Sequence, residues 1–207
     1  MRFILVRHGE TEWNATGQYQ GQTDIPLSET GRAQAAALGK RFETIHVDAV
    51  YSSPLQRAYD TARAIAEPKG LPIQKVEGFK ELNFGEWDGQ TKEELTERFG
   101  EPFVRYRIEP FHYPMPGEKS LSRARLRIGA ALEDIKERYR DTDKTVVIAA
   151  HGGILKLAIF HLLDMGSRLY RCIELDNTSL TVIDLEEDRC ILRVLNDSHH
   201  LDGLRGR

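Results

Sequence analysis

Two short apolar runs in this chain end the same way. Residues 3–6 lead into Arg7-His8-Gly9-Glu10-Thr11, and residues 145–149 lead through Ala150 into His151-Gly152-Gly153. If the runs are neighbouring strands of an open α/β sheet, both imidazoles meet at its C-terminal edge, where such sheets bind ligands. Arg57, just past a second apolar run, and Glu81, past a third, would face the same place. Two imidazoles, two guanidiniums and one carboxylate suit a phosphate monoester. Arginine forks pair with the dianion through parallel bonds. Histidine supplies a nucleophile that is neutral at ordinary pH, and a carboxyl beside the phosphate can protonate the leaving alkoxide. The N–H of Gly152, opening a helix, is a further donor to an anion. The glycines beside both histidines are read as letting a ligand approach the backbone closely.

The pattern also outlines the elements that must position these groups. Residues 3–6 and 48–52 read as short buried strands, residues 73–76 as a weaker one, and 145–149 as an unbroken apolar strand of the central parallel kind. Residues 12–24 suit a polar loop. Ser28 caps a helix to Phe42 whose inward face is read from Ala33, Ala36, Ala37, Leu38 and Phe42. Ser53 is expected to cap the next helix, with Pro54 in its first turn, Arg57 close behind, and Leu55, Ala58, Ala62 and Ile65 as its stripe. Residues 79–90 are irregular, and Thr91 with Glu94 forms a capping box for a helix to about Arg98. Residues 101–119, rich in proline, read as a cap-like insertion covering the sheet edge. Ser120 starts a helix to about Arg140 whose inward residues are Leu121, Ala124, Ile128, Ala131, Leu132 and Ile135. Another helix follows His151. Two strands, 180–185 and 191–195, flank a turn at Glu186-Glu187-Asp188, and the polar tail after Asn196 is expected to be loose at its end. Strands alternating with helices predict one domain over 1–207, a three-layer α/β/α fold with a mainly parallel central sheet.

Together the motifs resemble the histidine phosphatase superfamily, the phosphoglycerate mutase-like group. Arg7-His8-Gly9-Glu10-Thr11, Ser53-Pro54-Leu55-Gln56-Arg57, Glu81 before Phe84-Gly85, and His151-Gly152 occur in the family's order. The resemblance implies a phosphohistidine mechanism. His8 attacks phosphorus, Glu81 protonates the leaving group and then deprotonates a water, and Arg7, Arg57 and His151 hold the equatorial oxygens. It also places Asn14, Gln20 and Gly21 against the substrate, and Thr11 of the opening motif is grouped with them. Glu77 and Glu86 compete with Glu81, which the family's spacing before a glycine-containing turn favours. Glu10 is assigned a structural role. Lys119 interrupts a glycine-glutamate-serine pattern frequent in relatives.

The resemblance implies a phosphatase of the small branch, with substrates such as α-ribazole phosphate, phosphoserine or phosphoglycerate. The alternatives are a phosphoglycerate mutase and, from another class, a catalytically silent phospho-ligand binding module. The short stretch between Glu81 and His151, and Leu82-Asn83-Phe84 where mutases commonly place an arginine, favour water as the acceptor. Retention of the whole catalytic set argues against the silent module. Selectivity is expected from the insertion, where Phe103, Tyr106, Phe111, His112 and Tyr113 could wall the pocket.

Composition narrows the rest. A net charge of −3 over 207 residues leaves no basic footprint for nucleic acid. No apolar run is long enough to span a membrane or act as a signal peptide, so a cytoplasmic location is expected. Cys172 and Cys190 have neither metal-site nor redox-pair spacing and are expected to be reduced and buried. No cofactor or metal is expected: a zinc site on both histidines lacks a third ligand at regular spacing, and two arginines would repel the cation. The partner is a small phosphate ester, and the C-terminal strands could pair across a homodimer.

Overall fold

Alternate residues of each central strand point to opposite faces, and each face collects its own helices. The computed structural model describes residues 1–187 and 189–204. In chain order these form β1 (Arg2–Arg7), α1 (Glu12–Ala15), α2 (Glu29–Phe42), β2 (Ala49–Ser52), α3 (Gln56–Ala66), β3 (Ile73–Lys75) and α4 (Lys92–Phe99). They continue with α5 (Glu101–Ile108), α6 (Leu121–Arg138), β4 (Thr145–Ala150), α7 (Gly152–Leu162), β5 (Leu180–Leu185) and β6 (Cys190–Asp197). The strands form one sheet in the order β3-β2-β4-β1-β5-β6. The first four run parallel, and β5 and β6 join antiparallel beside β1.

Ile4, Val6, Val50, Val147 and Ala149 bury one face against Leu38 and Phe42 of α2 and Ala62 and Ile65 of α3. Phe3, Leu5, Tyr51, Val146 and Ile148 bury the other against Ile128 and Leu132 of α6 and Leu155 and Ile159 of α7. The fold is the expected α/β/α sandwich with a mostly parallel sheet. Because β4 is covered on both sides, its sequence is apolar at every position from Val146 to Ala150.

Several local expectations change. The buried positions of α2 are Gly31, Ala35, Leu38 and Phe42, whereas Ala33 and Ala36 are exposed. Alanine favours helix on any face, so a run of alanines does not mark the inward one. α3 begins at Gln56 with Leu55 at its N-cap position, not Ser53. A short helix, α1, occupies part of the stretch read as loop, and Thr11 and Asn14 close a capping box around it. Pro102 sits in the first turn of α5, where its missing N–H costs nothing. In α6, Ala131 is only half-buried. Cys172 is exposed and Cys190 half-buried, both as free thiols. Of the expected turn between β5 and β6, Asp188 lies outside the described residues. So do residues 205–207, the end expected to be loose; just before them Leu201 is buried. Among the described residues no helix is long and apolar enough to cross a membrane.

Candidate active site

Pairing of β1 with β4 sets Val6 opposite Ala149 and Arg7 opposite Ala150, so the two histidines leave the sheet side by side. Their ring centroids are 5.1 Å apart. β2 lies on the other side of β4 and delivers Arg57 from the first turn of α3. β3 and the turn Glu77–Phe79 deliver Glu81. Arg7, His8, Arg57 and Glu81 line one cavity of 480 Å³, together with Asn14, Gln20, Gly21 and Gly152. Glu77 and Glu86 are exposed and lie outside it.

His8 is buried, and its Nδ1 lies 2.6 Å from the carbonyl of Gly9. A carbonyl only accepts, so Nδ1 carries the proton and Nε2 keeps its lone pair. Burial holds the imidazole well below its usual pKa near 6.5, and the charges of Arg57 and then Arg7 lower it further. The ring is therefore a neutral base with one free nitrogen.

His151 is also buried and neutral, for the same leading reason: burial first, then the charge of Arg57. Its nitrogens are differently engaged. Arg57 Nε–H donates to Nδ1 at 3.2 Å, which leaves the proton on Nε2, 2.8 Å from Ser53 Oγ. His151 does not line the cavity but stands behind it. Arg57 is fully buried and also donates through Nη1 to Thr23 O and through Nη2 to Gly21 O, each at 2.8 Å. Three of its five N–H groups are thus fixed by protein, and two remain for a ligand. Arg7 Nη1 donates to Leu175 O, and its buried Nε has no partner among the described residues. Gln20 Oε1, on the same cavity, is likewise buried without one. A donor and an acceptor left unpaired in a cleft are what a polar ligand would satisfy.

Glu81 is an acceptor on both oxygens. Leu82 N–H donates to Oε1 at 2.8 Å, Ile154 N–H to Oε1 at 3.0 Å and Gly153 N–H to Oε2 at 3.0 Å. The carboxylate thus closes the N-terminus of α7. This explains the second of the paired glycines differently from the sequence reading. A Cβ on Gly153 would come within 2.7 Å of Glu81 Oε1, whereas one on Gly152, which lines the cavity, would meet Arg7 Nε only at an ordinary 3.4 Å. The space at Gly153 admits the Glu81 carboxylate itself. Gly9 is corrected too: a Cβ there would lie 2.6 Å from Gly31 O, so its role is close packing of β1 on α2.

Other assigned residues divide. Asn14 Oδ1 accepts from Thr11 N–H and from Asn177 Nδ2, which leaves its own amide N–H₂ for the cavity. Thr11 is fully buried, caps α1 and does not line the cavity, because its hydroxyl is needed by the backbone of Asn14. Of the insertion's aromatics only Tyr106 lines the cavity, next to Arg107 and Pro110; Phe103 is core, and His112 is exposed. Glu10 accepts from Ser28 Oγ at the start of α2. Lys119 is exposed with φ at +69°, so it shapes a turn, while its neighbour Glu118 ties Asn83 N–H to Arg127.

The sequence reading missed a supporting shell. Ser53 holds His151, Thr61 Oγ1 accepts from Gly9 N–H at 3.0 Å, and Asn177 Nδ2 donates to His8 O at 2.9 Å. Arg127 gathers the carbonyls of Gly78, Lys80 and Glu81. Ser53 was visible within a motif; the other three had no local signal. Among the described residues no cluster of three or more His, Cys, Asp or Glu side chains is arranged to hold a metal ion.

Comparison with known proteins decides the family. The sequence model of the histidine phosphatase superfamily, branch 1, matches residues 3–198. This chain belongs to that superfamily. Its relatives within the superfamily include phosphoserine phosphatase 1 of Hydrogenobacter thermophilus, 37% identical over 201 residues that cover 97% of this chain and 94% of the relative. The adenosylcobalamin/alpha-ribazole phosphatase of Escherichia coli is 30% identical over 199 residues, 95% of this chain and 96% of that one. Among solved superfamily structures, phosphoserine phosphatase of Entamoeba histolytica in complex with 3-phosphoglyceric acid superposes with a TM-score of 0.86 at 33% identity, covering 97% of this chain and 98% of the other.

Proposed function

We propose that this chain hydrolyses phosphomonoesters of small metabolites through a phosphohistidine on His8. The observation that carries this reading is the tautomer of His8: Nδ1–H is spent on Gly9 O, so the free lone pair lies on Nε2, beside Arg7 and Arg57 in one cavity. Nε2 attacks phosphorus, the bond to the alkyl oxygen breaks, and the Glu81 carboxyl gives that oxygen its proton. Water then attacks phosphorus, Glu81 takes its proton, and the P–N bond breaks to release phosphate. Arg7 and the free N–H groups of Arg57 hold the equatorial oxygens. His151, behind the cavity, supports them through Arg57, whose Nε–H its Nδ1 accepts. Asn14, Gln20 and Gly152 border the rest of the substrate, and no metal takes part.

Residues 101–119 act as a cap of the single domain, supported by Tyr106, Arg107 and Pro110 on the cavity wall. The relatives' names support phosphoserine, α-ribazole phosphate and phosphoglycerate as candidate substrates. Free thiols at Cys172 and Cys190 suit a reducing, cytoplasmic setting. β6, at one edge of the sheet, is the strand through which a homodimer would pair.

The test is hydrolysis of p-nitrophenyl phosphate by wild type and His8→Ala, with mass spectrometry of wild type quenched during turnover. Hydrolysis by wild type alone, with one phosphoryl group on His8, is expected. Equal rates would refute His8 as nucleophile. Interconversion of 2- and 3-phosphoglycerate with little phosphate released would identify a mutase instead. Activity removed by EDTA and restored by Zn²⁺ or Mg²⁺ would count against the mechanism.

A further inference from the structure

Lys156 has no role in the chemistry above, yet it lines the same cavity. It lies one turn along α7 from Gly152, about 6 Å of helix rise past the glycine that adjoins Arg7. Its ammonium sits 4.4 Å from the centroid of the Tyr170 ring. Tyr170 is itself buried, and its hydroxyl donates to Gly153 O at 3.4 Å, so the platform under the ammonium is tied to the start of α7. Lys156 makes no ion pair or hydrogen bond with any described residue. Desolvation lowers its pKa, against the attraction of Glu81 and Glu174. Lysines on helices ordinarily extend into water. One half-buried on an aromatic ring at the wall of a cavity, with no anion at bonding distance, is positioned to receive one.

That anion is not the phosphoryl group, which on the reading above Arg7, Arg57 and His8 receive. Resting on the phosphatase reading above, we propose that Lys156 is a specificity residue that binds a carboxylate on the leaving-group side of the substrate. Tyr170 positions it. The substrate class is then a phosphorylated short-chain hydroxy or amino acid, in which a few carbons separate the ester oxygen from the carboxylate. Esters of neutral alcohols and nucleosides, α-ribazole phosphate among them, have no group for Lys156. Arg107 and Arg171, exposed on the same rim, add positive potential there, Arg171 while its Nη1 donates to Ile108 O at 3.4 Å.

A matched pair of substrates isolates the charge: 3-phosphoglycerate and its methyl ester, assayed with wild type, Lys156→Gln and Lys156→Arg. Wild type is expected to prefer the acid. In Lys156→Gln the ratio of kcat/KM for acid over ester should fall about tenfold or more, mainly through KM for the acid, while Lys156→Arg keeps most of it. A wild-type ratio near one, or a ratio that Lys156→Gln leaves unmoved, overturns the proposal. So does an equal loss on acid and ester, which marks a role at the phosphoryl group or in folding. The wild-type ratio needs no variant, so a misfolded variant does not shelter the idea. Failure of wild type on p-nitrophenyl phosphate, or full activity of His8→Ala, strikes the phosphatase reading instead.

Discussion

The ends of β1 and β4 are a controlled comparison within one molecule. Each carries a buried histidine followed by glycine, on adjacent parallel strands in register, under the same two arginines. They differ in what their Nδ1 atoms meet. His8 Nδ1 faces a carbonyl of its own loop, and His151 Nδ1 faces the guanidinium of Arg57. An acceptor in one case and a donor in the other reverse the tautomer. On the function proposed above, the first histidine is the nucleophile and the second the brace that holds Arg57. Residue type and burial do not distinguish them; a single second partner does.

The sharpest way to break that contrast is to remove each ring. His8→Ala should lower kcat for phosphate release by roughly a thousandfold or more and abolish the phosphoryl-enzyme. His151→Gln keeps the nucleophile, so it should still trap phosphate on His8; a variant that never becomes phosphorylated would erase the distinction. Between them in effect lies Glu81→Gln. We expect a loss of about a hundredfold to a thousandfold on alkyl phosphates and a much smaller one on p-nitrophenyl phosphate, whose leaving group needs little protonation. Equal losses on both would remove Glu81 from the proton's path. For His151→Gln itself the expected fall in kcat is about tenfold to a hundredfold.

What the two rings share can be tested through stability. Both are held neutral with pKa values below the ordinary 6.5. Unfolded imidazoles take up protons below that pH and the buried ones do not, so this stability is complete above pH 6.5 and is lost on acidification toward the folded values. Each histidine should contribute a slope of about 1.4 kcal/mol per pH unit below 6. Urea unfolding across pH 7 to 5 should show the combined slope, reduced in either Gln variant; a flat wild-type profile would contradict the burial argument. The smallest effect belongs to Ser53→Ala, about threefold to tenfold in kcat through a freed His151 Nε2, with His8 phosphorylation intact.

Sequence made much of this legible, but unevenly. Strand ends were readable because β4 and β1 are buried on both faces and then turn abruptly to arginine and histidine. The tautomers were not, since Gly9 O and Arg57 Nε carry no special signature in the chain. Ser53 was read as a helix cap because serine before proline usually is one. The helix starts later, and the hydroxyl instead accepts from Leu55 N–H at 3.2 Å and meets His151. Glycine told only that space was needed, not that Glu81 and Gly31 would fill it at positions 153 and 9. Lys156 carries no signal in the chain, because the ring it rests on, Tyr170, comes from a later turn that no periodicity connects to it.

The hydrogen bonds of Glu81 have a consequence for observing the reaction. Its carboxylate holds the amide protons of Gly153 and Ile154, the first bonds that α7 makes outside itself. A proton placed on that carboxylate removes the charge that strengthens these bonds and so weakens them. The two amides are therefore built-in reporters: their chemical shifts and exchange rates would follow the charge on Glu81 through the catalytic cycle.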